Sequence, residues 1–239
     1  MSKTALITGA SRGIGAAIAE ALAADGYDLY LCCRENHTLL SSVALDLGIR
    51  YSVTARPLIG DVGDPSFSEK VLSEIPTPDL LVNNAGIAHF ALLQDTRNED
   101  WKRLMQVNLN GPFYFSRAVV PGMIARQSGR IINISSVWGE RGASMEVAYS
   151  ASKGALNAFT RALARELAPS GIAVNALACG YIDTEMNARL SEDEKKALED
   201  DIPAGRAGRP EEVARCVSLL AQCPVYLTGQ VITVDGGWT

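Results

Sequence analysis

The chain reads as an α/β protein built on a single doubly wound parallel sheet of the Rossmann type, with helices on both faces. Three observations predict this. Short apolar β-type runs alternate with helical stretches along the whole chain, the order that builds a parallel sheet through crossover helices. The first run, Thr4 to Thr8, enters a glycine turn, Gly9-Ala10-Ser11-Arg12-Gly13-Ile14-Gly15, that opens a helix. Later runs end in amide, hydroxyl or glycine residues, which suits a crevice beyond the carboxyl ends of parallel strands.

Taken in order, the helix after the glycine turn spans Ala16 to Ala24 and is ended by Asp25-Gly26. Tyr27 to Cys33 is a second strand, Thr38 to Leu47 a helix, and a third strand leads into Ile59-Gly60-Asp61-Val62. Pro65 to Glu74 reads as a helix closed by Pro76 and Pro78. Asp79 to Val82 is a buried strand ending in Asn83-Asn84-Ala85-Gly86. Glu99 to Leu109 and Phe113 to Arg126 read as two helices, and Gly129 to Ser136 as a strand ending in hydroxyls. A glycine-punctuated loop, Gly139 to Val147, precedes a long helix from Ser150 to Arg165. On that helix Leu156, Phe159, Leu163 and Leu167 form a core stripe, and Ala151, Ala155, Ala158 and Ala162 a stripe of small side chains. Ile172 to Leu177 is a strand, Ser191 to Asp200 and Pro210 to Ala221 are helices, and Gln230 to Val234 is a last strand before Asp235-Gly236-Gly237. No linker, repeat or low-complexity stretch divides residues 1–239, so one domain is expected.

Composition narrows the class. Apolar residues make up 47% of the chain and charged residues 21%, ordinary for a soluble protein with a sizeable core. A net charge of -5 without a dense basic cluster argues against nucleic acid. No apolar run is long enough to span a membrane. The five cysteines lack C-x-x-C spacing and read as reduced thiols, not a disulfide frame or a metal site. With no leader-like N-terminal stretch, a cytoplasmic location is expected.

The chemistry gathers around the long helix. Tyr149 and Lys153 stand four apart, on one helix face. A cation beside a phenol is expected to pull the phenol below its reference pKa of about 10 and make it a usable proton donor and acceptor. Tyr-x-x-x-Lys is short enough to arise by chance; Ser136 upstream and the glycine turn give it weight. In that turn Gly9 permits the bend, Gly13 lets backbone approach a pyrophosphate, and Gly15 lets the helix pack close. The spacing is G-x-x-x-G-x-G. Where an acidic residue would bind a ribose hydroxyl, the second strand ends in Cys33-Arg34. Arg34 and Arg12 could instead pair with a 2′-phosphate, which favours NADP(H), although Glu35 follows at once.

These residues together resemble the short-chain dehydrogenase/reductase family, and the resemblance covers essentially the whole chain. Thr8 to Gly15, Asn83 to Gly86, Ser136 with Tyr149 and Lys153, Gly229-Gln230 and Asp235 to Gly237 stand in the family's order and spacing. The resemblance implies that Ser136 holds a substrate carbonyl, Tyr149 gives it a proton, and Lys153 holds the nicotinamide ribose. It implies a fourth catalytic residue, Asn108, holding a water that links Lys153 to solvent. Gly9, Ser11, Arg12, Gly13, Ile14 and Gly15 are implied to cradle the cofactor. Asp61 and Val62 would meet adenine, Asn84, Ala85 and Gly86 would flank the cofactor, and Ile182 with Thr184 would meet the carboxamide.

Within the family the chain is most similar to bacterial 3-oxoacyl-[acyl-carrier-protein] reductases and their paralogues. That implies a 3-oxoacyl thioester substrate, acyl carrier protein as a partner, and a homotetramer or homodimer formed through the Ala-striped helix and the helix before Arg126. Two features depart from the subgroup. Cys179-Gly180 stands where Pro-Gly is common, placing a thiol at the nicotinamide pocket, and Gln127 and Ser170 stand at docking positions that are often basic. A ketone on a small metabolite or on a protein, and a non-catalytic dinucleotide sensor on the same fold, remain open.

Overall fold

The computed structural model describes residues 2–239. Among these, seven strands form one parallel sheet in the order β3-β2-β1-β4-β5-β6-β7. They are β1 (Thr4–Thr8), β2 (Asp28–Cys33), β3 (Ala55–Ile59), β4 (Leu80–Asn83), β5 (Gly129–Ser136), β6 (Ile172–Cys179) and β7 (Val231–Val234). The helices are α1 (Gly13–Ala24), α2 (His37–Tyr51), α3 (Pro65–Glu74), α4 (Asn98–Met105), α5 (Gly111–Ala125), α6 (Trp138–Arg141), α7 (Val147–Leu167), α8 (Glu192–Asp201) and α9 (Pro210–Gln222). This is the doubly wound Rossmann arrangement that the alternation of elements predicts.

Strand periodicity divides the core. Ala5 and Ile7 of β1 point to the side covered by α1, α2 and α9, where Ile18, Leu22, Leu40, Val213 and Val217 are buried. Leu6 points to the opposite side, with Phe67, Phe115, Val119 and Met123. Successive side chains of a strand face opposite ways, so a central strand covered on both faces must be apolar throughout. Strand order reverses between β1 and β4, and ligands in open α/β sheets bind outside the carboxyl ends at such a switch point.

Three elements differ from the sequence expectation. The Tyr149 helix starts at Val147, so Tyr149 lies inside its first turn rather than before it. The Gly139 to Val147 loop is preceded by a short helix, α6, that overlaps its first residues. The two helices expected at Glu99 to Leu109 and Phe113 to Arg126 form one helical run, joined through a π-helical turn over Gln106–Asn110. Pro112 offers no backbone N–H, and its ring clashes with the carbonyl four residues back in a regular helix; a widened turn relieves both.

Candidate active site

The carboxyl ends of β1, β2, β4, β5 and β6 open into a cleft of about 1100 Å³. The glycine turn forms one wall. Gly13 has φ +53, and Gly15 packs so tightly that a Cβ there would overlap the Gly9 carbonyl oxygen and the Asn84 amide. Asn84 fixes the turn: its Nδ2 donates to the carbonyls of Thr8 and Gly9, both at 3.0 Å. Thr8 Oγ1 in return accepts from the backbone N–H groups of Asn84 and Ala85, both at 3.0 Å. The first turn of α1 therefore faces the cleft, without a side-chain cap or an acidic residue. An uncapped helix N-terminus behind a glycine turn fits a pyrophosphate.

Ser136, Tyr149 and Lys153 meet in the same cleft. Ser136 ends β5, and its Oγ accepts from the Trp138 backbone N–H at 3.2 Å. Lys153 is only 4% exposed. Its Nζ donates to the Ile134 carbonyl at 2.8 Å and lies 5.7 Å from the centre of the Tyr149 ring. Burial brings the Lys153 ammonium down from 10.5 to about 8.

Burial also raises the Tyr149 phenol above its usual 10.0, against the Ser136 hydroxyl, which favours phenolate. The expected lowering of Tyr149 by Lys153 is therefore reversed in this geometry. The ammonium is engaged by a backbone carbonyl, and desolvation penalises both charged forms at once.

Asn108 lies on the π-helical turn, fully buried behind the cleft wall. Its Oδ1 accepts from the Ile87 N–H at 2.9 Å, and its Nδ2 donates to the Ile87 carbonyl at 2.9 Å and to Ser152 Oγ at 3.1 Å. A Cβ on Gly86 would sit 3.5 Å from Asn108 Oδ1 and 3.6 Å from Lys153 Nζ, so both groups face the same small space.

The residues expected to hold the cofactor all line the cleft: Gly9, Ser11, Arg12, Gly13, Ile14, Gly15, Arg34, Asp61, Val62, Asn84, Ala85, Gly86, Ile182 and Thr184, whereas Gln127 and Ser170 lie outside it. The two arginines are not free. Arg12 pairs with Glu185 across the cleft, while Arg34 pairs with Glu35 and lies 3.7 Å from Asp61. Asp61 is held below the usual carboxylate range, against the cost of its burial, by the Gly63 N–H and Arg103. Cys179 lines the cleft, and burial pushes its thiol up to about 12, so that it is a protonated thiol at neutral pH.

Sequence reasoning missed the far end of the cleft. Trp138 and Trp238 meet edge to face there, 4.9 Å between ring centres, and Trp238 Nε1 donates to Asp201 at 2.7 Å. Glu146 and Arg189 line the same end. Only the position of Trp138, two residues beyond Ser136, hinted at a role; the others carry no motif.

A sheet of this order, with a helix N-terminus and a Ser-Tyr-Lys constellation in one cleft, defines a nucleotide-dependent oxidoreductase. The chain belongs to the short chain dehydrogenase family, which it matches over residues 3–195. It is 44% identical to the uncharacterized oxidoreductase YmfI of Bacillus subtilis, covering 100% of this chain and 99% of that one. It is 40% identical to the 3-oxoacyl-[acyl-carrier-protein] reductase FabG of Escherichia coli, covering 98% and 96%. Among solved structures it resembles a blue fluorescent protein from a metagenomic library in complex with NADPH, with a TM-score of 0.90 and 34% identity over 99% of this chain and 98% of that one.

Proposed function

We propose that this protein is an NADPH-dependent carbonyl reductase. The observation that carries the reading is the meeting of Ser136, Tyr149 and Lys153 in the cleft that the glycine turn also lines. Bound NADPH supplies the hydride. The turn residues Gly9 to Gly15 hold its pyrophosphate, and Arg12 and Arg34 its 2′-phosphate. Asp61 and Val62 meet the adenine. Asn84, Ala85 and Gly86 flank the cofactor, with Ile182 and Thr184 at its carboxamide.

Ser136 Oγ donates to the substrate carbonyl oxygen, and the Tyr149 phenol gives that oxygen a proton. A phenol held above its usual pKa stays protonated at neutral pH, as a donor for reduction must. Lys153, at about 8, is mostly charged at pH 7 and can stabilise the phenolate as it forms. Asn108, beside Lys153, positions the path that returns a proton from solvent.

A 3-oxoacyl thioester is the substrate class that the FabG relatives support. A ketone on another scaffold is the second reading, favoured by uncharged Gln127 and Ser170 at the carrier-docking positions. We infer further that the chain acts as one domain and forms a homotetramer or homodimer through α5 and α7. Phe113, Ile124, Ala151, Ala158 and Ala162 are exposed there. The five free cysteines support a reducing, cytoplasmic setting.

Tyr149→Phe tests the reading. The variant is expected to bind NADPH normally, by fluorescence titration, and to lose at least ~100-fold in kcat on a ketone substrate. Near-normal turnover would overturn the assignment.

A further inference from the structure

Carbonyl chemistry does not use the charges at the substrate end of the cleft. Glu146 lies on the cleft wall three residues before Tyr149. Its side chain is 14% exposed, and the nearest cation, Arg189, is 4.0 Å away. No described residue donates a hydrogen bond to its carboxylate. Arg189 is itself stacked over the Phe90 ring, 3.9 Å from its centre. Burial holds the Glu146 carboxyl above the usual carboxylate range, and Arg189 offsets this only in part.

The other acids at this end are already engaged. Glu194 closes the cap of α8 with Ser191, and Asp201 accepts from Trp238. Glu146 thus presents a carboxylate to the cleft with Arg189 as its only charged partner among the described residues and with acceptor capacity left for a ligand. Three acids face one base there, so an anionic substrate is disfavoured. The Trp138–Trp238 pair, with Asp201 hydrogen-bonded to Trp238, lines the same cleft and adds aromatic surface, which suits a cation.

We propose that Glu146 is a specificity-determining residue that receives a primary ammonium group of the substrate, so that the enzyme acts on a ketone bearing an amine. This rests on the carbonyl-reductase reading and sides with its second substrate class.

The test compares three rigid ketones that cannot cyclise: 4-(aminomethyl)acetophenone, 4-ethylacetophenone and 4-acetylbenzoate. Each is reduced with NADPH by the wild type and by Glu146→Gln. The wild type is expected to favour the ammonium ketone over the ethyl ketone at least tenfold in kcat/KM, and to use the carboxylate least. Glu146→Gln should bring the first ratio to within about twofold, mostly through KM. A wild-type ratio near one, or an equal loss on all three ketones, overturns the proposal; the equal loss would mean that Glu146 only braces Arg189.

If the wild type reduces none of the three, reduction of a 3-oxoacyl thioester with NADPH decides the reductase reading separately. Titration of the NADPH-loaded protein with benzylamine, read by tryptophan fluorescence, then decides the ammonium site. At least tenfold weaker binding in Glu146→Gln supports it, and equal binding overturns it.

Discussion

Lys153→Met should abolish turnover and remove a pH dependence of stability that the buried ammonium imposes. Methionine keeps most of the side-chain volume and removes the buried charge. Folded Lys153 sits at about 8 against an ordinary 10.5, a depression of about 2.5 units. At pH 7 both the folded and unfolded lysine are protonated, so the folded state bears the whole penalty, about 3 kcal/mol.

Between the two pKa values the unfolded lysine binds more protons than the folded one, so wild-type stability rises with pH through that window. By pH 9.5 the penalty has shrunk to about 1 kcal/mol. The assay is urea unfolding of both proteins at pH 7 and pH 9.5. Titrations common to both cancel in the difference. Methionine leaves the Ile134 carbonyl without its donor, which costs about 1–3 kcal/mol at every pH. The readout is therefore the change with pH: the stability of the variant relative to the wild type should fall by about 2 kcal/mol between pH 7 and pH 9.5. A difference that does not move with pH would refute the idea that Lys153 is held as a desolvated cation.

Removing Arg34 should narrow the preference for NADPH over NADH by about tenfold or more, since a charge-assisted phosphate contact contributes roughly 1.5–3 kcal/mol. Initial rates with both cofactors at matched concentrations check this, and an unchanged ratio would remove Arg34 from the 2′-phosphate site. Light scattering at micromolar concentration should give a dimer or tetramer, because the exposed apolar and alanine positions of α5 and α7 leave more packing surface than one subunit covers; a monomer would refute it.

Much of this protein is legible in one dimension because its signals are local. A glycine turn between a strand and a helix, a Tyr-Lys pair one helical turn apart and a hydroxyl at a strand end depend on spacing along the chain. The alternation of apolar runs predicts the sheet because strand and helix periods differ. Tertiary packing decided what depends on neighbours distant in sequence. Asn108 is held by the Ile87 backbone and by Ser152, on two other segments. Arg12 is paired with Glu185, and Arg34 lies 3.7 Å from Asp61.

The spacing of Tyr149 and Lys153 suggested a lowered phenol, and packing reversed it. A pKa depends on how much water each group loses and which carbonyl the ammonium finds, and Ile134 lies on another strand. Glu146, Arg189 and the Trp138–Trp238 pair come from four separate segments, so no window of sequence could bring them together. They line one cleft only in the folded chain.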